Sequence, residues 1–571
     1  MTTAPPDTDP AVAEPPSRPR LRPALRWARW ALIFLLAFTL LRGVVWSVSF
    51  PSFFGGDEDY HFLYVEYLTT QNALPDPDKH LYPREYPALV EAMHYDAYCC
   101  GPRADFAQQV DPKYSIKESE WWPDSYREPF EAGRGVGVVH PPLYHVSGAA
   151  VNWALGDASV FTRYTAVRWV SSVFGVLAVY AAWLLAAQIF RRESLRLLVA
   201  FLVAVQPIIA LSSGIANHDI LLTAGFTLAC ALMLFILRSP PRAAQGAWLA
   251  GAMLIALLTK GTALALVPLA GLAYLGQLLV HRAQWRTVLR SAGVAAAVLA
   301  VGAGWWYVRS YIEYGSVTGA TTGDVDLGPR QGAPATLSNL WAWVTSWTGY
   351  TYRTYWFHHV WTEAPKGRIH FYLPGYIGAL GMLGLGLVAV RIRRELLDPE
   401  RPLLRQILLL TAAAMSLYLA IMWVDIKHMI DGTGFSMIGG RYLVPAYAGV
   451  AALLVVGLRE LIRKSMQPVM LAGLALLAGW FCWKVYILNY VYRYYGNEQT
   501  GWDALFRNMS FDRPEFVTAT TLKVTVALLV LALLAAVVAV IVGNLPPTAA
   551  DRVRAWRPRP RRRRWLAART R

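Results

Sequence analysis

Apolar residues fill this chain in long blocks from about Trp30 to Gly543. Each block approaches the ~20 residues that a helix needs to cross a bilayer. About twelve such blocks predict transmembrane helices over 26–49, 163–190, 196–214, 219–237, 246–260, 262–280, 291–308, 371–390, 405–424, 440–458, 467–487 and 521–543. The polar stretches between them are of two kinds. Some are short and Arg-rich; three are long, at 50–162, 309–370 and 488–520. Inside the first long stretch, DEDYHFLYVEYLTTQNAL sets Phe62, Val65 and Leu68 at helical spacing, which predicts an amphipathic helix along the membrane interface. A second short amphipathic element is predicted over HPPLYHVSGAAVNWALG, too brief to span. The fold class expected is an all-α polytopic membrane protein whose long first outer loop carries interfacial helices.

Charge orients the helices. The short loops carry Arg191, Arg192 and Arg196, then Arg282, Arg286 and Arg290, then Arg391, Arg393 and Arg394, then Arg459, Arg463 and Lys464. The positive-inside rule makes these loops cytoplasmic, with both termini. The long, acidic stretches then lie outside, and so does any active site. The net charge of +17 is thereby a matter of topology. It does not point to a nucleic-acid partner, and the tail RPRPRRRRW, which could grip DNA, is expected beside a membrane to touch anionic lipid headgroups. Three regions are expected: a disordered cytoplasmic N-terminus at 1–25, a transmembrane domain at 26–545 and a basic cytoplasmic tail at 546–571. The first span is too long for a cleavable leader and reads as an anchor in the cell (inner) membrane. At 55% hydrophobic, the chain contains far more apolar surface than one soluble core needs. Of four cysteines, Cys230 and Cys482 fall in spans and Cys99 and Cys100 are adjacent, so no disulfide framework follows.

Ionisable groups cluster at the outer ends of the predicted spans. Asp57, Glu58 and His61 follow the first span; on a helix, Asp57 and His61 share a face. A carboxylate at an apolar boundary can serve as a general base. The same trio could ligate a divalent metal, or the acids could simply favour a helix N-terminus. His140 and Tyr144 lie in HPPLYH, whose prolines fix the entry of a helix. That too reads either as a site or as a cap. Asn217 and Asp219 join two spans, Lys260 lies between two short ones, and Arg441 opens the span after GGRYLVP begins. Charges at membrane depth are costly and functional by default. Placed at one depth, they suit an anionic substrate and an acid–base step; the alternative is mutual salt bridging that glues helices. The segment 341–370 is very aromatic, with Arg353, His358, His359 and Lys366, and reads mainly as an interfacial belt.

In their order and placement, these motifs resemble the GT-C glycosyltransferases. The Asp-Glu opening of the first outer loop, HPPLY, N-x-D, TKG and GGRYLVP look like the protein O-mannosyltransferase and aminoarabinose-transferase branch and its bacterial relatives. The likeness covers about 25–460. It implies transfer of a sugar from a polyprenyl-phosphate donor to a glycan, lipid or protein acceptor at the outer face. Asp57 would be the base, Glu58 would orient a substrate, and Lys260 and Arg441 would hold the departing phosphate. His140 stands where a relative carries a charged residue. The branch generally works without a metal, so no cofactor is implied. A transporter or flippase and a non-catalytic scaffold are the competing classes. The lack of a visible repeat and the one-sided charges weigh against transport.

Overall fold

The computed structural model describes residues 23–50, 52–53, 55, 57–75, 80–83, 129–132, 139–318, 337–356, 369–430, 439–486, 491, 495, 501–510 and 513–544. The expectations for 1–22, Cys99, Cys100, His358, His359, Lys366 and the basic tail lie outside these residues. What is described is almost wholly helical. The exception is an antiparallel ribbon pairing His80–Pro83 with Pro129–Ala132.

All twelve apolar blocks are helical, though not all span. Among the described residues nine helices are long and apolar enough to cross a membrane. A pair bent by 49°, Arg282–Gly302 and Gly304–Tyr314, brings this to ten if it is one span. The remaining two blocks fall short for visible reasons. The block 196–214 splits into Glu193–Ala204 and Pro207–Ser212, because Pro207 cannot donate to the helix ladder and instead opens a new helix. Gln206 caps that second helix through its side chain, which accepts from Ile209 N at 2.7 Å. The block 246–260 stops as the 14-residue helix Ala244–Leu257, and Lys260 follows in extended conformation before the turn Gly261–Ala265. The sequence gives hydrophobic length; where a helix breaks is set by single residues.

Val160–Ile189, here α4, is the axis of the bundle. It is capped by Ser159, whose hydroxyl accepts from Thr162 N. It packs against Pro23–Ser49 (α1), against Glu193–Ala204 and against Asp219–Arg238 (α7). At its N-terminal end lie Glu58–Gln71 (α2) and Leu143–Leu155 (α3), packed together. Neither of these two is simply laid on an interface. In α2 the polar residues Glu58, Asp59, His61 and Glu66 are buried with the apolar ones. Glu66 is held by Arg163 of α4 at 2.9 and 3.2 Å and by Asn152 of α3 at 2.7 Å. The amphipathic pattern is thus answered on both faces, by apolar packing and by ion pairing.

The outer surface of the bundle is apolar: Val301 is 81% exposed and Leu531 62%. Side chains of that kind on helices of spanning length require lipid. Elsewhere the helices meet at glycines. Ile369–Arg391 crosses Tyr447–Leu461 so closely that a Cβ on Gly457 would collide with the Gly381 carbonyl. We predict that Gly457→Leu forces this pair apart and costs about 1–3 kcal/mol. Thermal unfolding of the purified variant in detergent checks it; a wild-type midpoint would mean the crossing is not close-packed.

Candidate functional site

The site begins with how α1 ends. Its last carbonyls have no partner in the helix and need donors. Two arginines supply them. Arg168 of α4 donates Nη1 to the carbonyls of Ser47 at 2.7 Å and Phe50 at 2.8 Å. Arg513 donates to Val48 at 2.9 Å and Phe50 at 2.6 Å. Arg168 turns its other edge to Glu58, with Nε and Nη2 at 2.7 and 2.8 Å from the two carboxylate oxygens. Glu58 also accepts from Gly55 N at 3.0 Å and Ala216 N at 2.6 Å. It is fully buried, as is Arg168. Glu58 therefore fastens α2 to α1, α4 and the start of α7; its oxygens are committed to that task. This differs from the role of contacting substrate that the resemblance implied for it.

With Glu58 anchored, Asp57 is thrown outward. It precedes α2 in the left-handed region, at φ 64°, a conformation that Asp adopts more readily than most residues. Its carboxylate is 40% exposed and meets Nη2 of Arg441. Arg441 arrives from Gly440–Ala446, a 3-10 turn that runs into Tyr447–Leu461. A glycine is required at 440, because a Cβ there would strike the Thr351 carbonyl and sit 2.7 Å from Tyr355 N. Next along, the ring of Tyr442 has two cations beside it: the Arg441 guanidinium at 5.1 Å and Lys260 Nζ at 4.3 Å from its centroid. Lys260 is buried and donates to Asp219 Oδ1 at 2.6 Å. Asn217 caps the start of α7 by accepting from Asp219 N at 2.7 Å. The four charged residues named from sequence thus meet as two acid–cation pairs, Asp57–Arg441 and Lys260–Asp219, sharing one tyrosine.

Behind them lies a group of histidines. His61 of α2 sits with Nδ1 3.1 Å from His145 Nε2 and with Nε2 2.7 Å from His218 Nδ1. The ring of His140 lies tilted against His218, centroids 4.4 Å apart. The start of α3 is tied to Lys260's segment through Leu143 N, which donates to Leu258 O at 2.9 Å. Tyr144 is buried and shares a hydrogen bond of 2.8 Å with Ser171 Oγ, so it secures α3 to α4. His145, His218, Tyr442 and Arg168 are absent from the residues chosen by sequence. The first three stood inside quoted motifs, HPPLYH, N-x-D and GGRYLVP. Which histidine faces inward depends on where α3 and α7 start, and no spacing rule discloses that.

Burial governs the titration here. It drives the pKa of His61, His145 and His218 well below the usual 6.5. Neighbouring histidines reinforce this in all three, and Lys260 does so at His61 and His218. His140 falls to about 3, again chiefly by burial and then by Lys260, with Asp57 and Asp219 opposing. For Asp57, burial pushes the pKa up, but Arg441 with Lys260 and His140 outweighs it, and the carboxyl ends below its ordinary value. The resting site therefore holds four neutral imidazoles and an ionised Asp57.

A divalent metal does not fit these residues. Asp57 is committed to Arg441, Glu58 to Arg168, and both His61 nitrogens to other rings. Among the described residues no group of three or more His, Cys, Asp or Glu could hold an ion.

Fold and site together define a polytopic helical membrane protein with a polar, charge-paired centre at one end of its bundle. The chain belongs to the family described as predicted membrane protein (DUF2142), which matches residues 40–450 and so includes the acid–cation pairs and the histidines, Arg513 lying beyond it. No curated protein matches it. Among solved structures it is similar to ArnT from Cupriavidus metallidurans in the apo state, at 16% identity and a TM-score of 0.40, over 90% of this chain and 75% of that one. It is also similar to the archaeal oligosaccharyltransferase AglB from Archaeoglobus fulgidus, solved with an inhibitory peptide and a dolichol-phosphate. There the identity is 13% and the TM-score 0.42, over 84% of this chain and 57% of that one.

Two predictions test the site's construction. Arg168→Met strands Glu58 as an uncompensated buried charge and should cost about 3–5 kcal/mol, read as a fall in unfolding midpoint. The histidines give a pH signature. Their folded pKa values lie below the unfolded value of about 6.5, so below that pH the unfolded chain binds protons that the folded one does not. Stability should be level above pH 7 and decline as pH falls from about 6.5 toward 3. A melting temperature as high at pH 5 as at pH 7.5 would contradict neutral, buried rings.

Proposed function

We propose that the chain is a GT-C-type glycosyltransferase that moves a sugar from a polyprenyl-phosphate carrier to an acceptor hydroxyl at the outer face of the cell membrane. The observation that carries this reading is the double ion pair on Tyr442. Two cations at the ends of helices, each matched by a carboxylate, form a site that an anion can enter by exchange. A lipid phosphate arriving from between the helices takes up Arg441 and Lys260. Asp57 is then released from the charge that holds its pKa down, and it becomes a better base as the donor docks. This couples donor binding to base strength.

In the transfer itself the acceptor oxygen bonds to the anomeric carbon while the bond from that carbon to the phosphate oxygen breaks. The hydroxyl proton passes to Asp57, and the bonding pair leaves with the phosphate. Lys260 and Arg441 neutralise the charge that grows there, an interaction stronger in the transition state than in the ground state. Glu58 acts as a positioning residue through α2. The motifs in the sequence and the side on which the basic loops fall support the donor class and the outer face.

In nanodiscs, Asp57→Asn should reduce turnover of polyprenyl-phosphate sugars by about 10²–10⁴, the usual contribution of a general base. Its unfolding midpoint should stay near wild type. Lys260→Ala and Arg441→Ala should each weaken binding of the lipid-phosphate donor. Normal turnover by Asp57→Asn would remove the base; unchanged donor affinity in both cation variants would remove the phosphate site.

A further inference from the structure

The polar centre keeps little hydrogen-bonding capacity in reserve. Glu58 is filled by Arg168, Gly55 N and Ala216 N, Asp57 meets Arg441, and Asp219 meets Lys260. His61 uses both ring nitrogens, on His145 and His218. The other nitrogens of those two rings, His145 Nδ1 and His218 Nε2, are sealed inside the protein. Among the described histidines of the centre, His140 is the exception. It is partly exposed, no described residue hydrogen bonds to its ring, and neither of its nitrogens is sealed in this way.

The backbone sets where that ring stands. Leu143, at the start of α3, donates its N–H to Leu258 O at 2.9 Å, two residues before Lys260. His140 is thereby held beside the helix break that delivers Lys260. Its ring lies 4.4 Å from that of His218 and 5.8 Å from that of His61, between centroids. Lys260, Asp57, Asp219 and Arg441 all act on it electrostatically, so it is in the field of both acid–cation pairs. Two cations and two carboxylates leave no net charge there to hold an imidazolium. The neutral ring presents one donor nitrogen and one acceptor.

We infer that His140 is a specificity residue for the transferred sugar, its neutral ring hydrogen bonding a hydroxyl of the sugar on the lipid phosphate. The inference rests on the sugar-transfer reading. In that reading the phosphate goes to Lys260 and Arg441 and the acceptor hydroxyl to Asp57. The sugar is joined to the first and attacked by the second, so it occupies the space reached by the same four charges that act on His140. The other parts of the substrates are better served elsewhere. A phosphate oxygen only accepts, and gains more from a cation than from a neutral N–H. A hydroxyl donates and accepts, and the ring offers one of each, whichever nitrogen carries the proton. A sugar lacking that hydroxyl leaves the ring unpaired, which is how such a contact discriminates.

The test compares affinities in nanodiscs for bare polyprenyl phosphate and for the same lipid phosphate carrying mannose, glucose or arabinose. The wild type should prefer a sugar-bearing lipid to the bare one. His140→Phe keeps an aromatic ring against His218 but has no donor or acceptor. It should retain the unfolding midpoint and the affinity for bare polyprenyl phosphate, while binding the preferred sugar lipid about five- to tenfold more weakly. His140→Gln returns a donor and an acceptor and should recover most of that loss; if His140→Phe folds poorly, His140→Ala takes its place. Equal losses for the bare and the sugar-bearing lipid would make His140 a phosphate or structural residue and overturn the inference. So would an unchanged preference without the imidazole, or a wild type that binds bare and sugar-bearing lipids alike. A wild type that binds no polyprenyl phosphate at all would overturn the sugar-transfer reading and this inference with it.

Discussion

Everything at the polar end of this protein hangs on the guanidinium of Arg168. Its donors divide between the last carbonyls of α1 and the carboxylate of Glu58. One side chain thereby finishes a membrane helix, starts the next helix and ties both to the central one. A lysine could not do this, since it presents a point charge where two edges of a planar fork are needed. An isolated buried pair is a doubtful source of stability, because desolvation offsets attraction. Here the pair also satisfies backbone groups that would otherwise be stranded, and it fixes the direction in which Asp57 points.

That arrangement divides the neighbouring acids by function. Glu58 is saturated and inside; Asp57, one residue earlier, is half-exposed and faces a single cation. Asp219 and Lys260 repeat the pairing beside the same Tyr442 ring. At rest the centre is neutral, each cation being matched by a carboxylate. The histidines behind it contribute no charge, which lets them offer fixed donors and acceptors without disturbing that balance.

The membrane explains why the helices break where they do. Unpaired backbone inside lipid is prohibitively costly, so irregular segments survive only when protein covers them. The turn after Pro207–Ser212 and the extended Lys260 are both buried, Ser213 bonded to Arg42 of α1 and Ser172 of α4 and Lys260 to Asp219 of α7. Shortened helices deliver Asn217, His218 and Asp219 from one side and Lys260 from the other to the same depth. Two apolar blocks give up full span length to build the centre.

Hydrophobic blocks of about 20 residues determined the helical membrane fold, because a bilayer imposes that length on any sequence that crosses it. The charges too rare for apolar surroundings, Asp57, Asp219, Lys260 and Arg441, were legible for the same reason. Which acid meets which cation was not. Glu58 and Asp57 are neighbours in sequence and equivalent in chemistry; only Arg168, 110 residues from Glu58, distinguishes them. Likewise His145 and His218 acquire their roles from His61, 84 and 157 residues away. Local patterns report on solvent preference, whereas partners separated by whole helices are chosen by packing. The sequence by itself therefore named the membrane and most of the polar residues it must shelter, and the tertiary structure alone decided which of them hold the site together and which face what enters it.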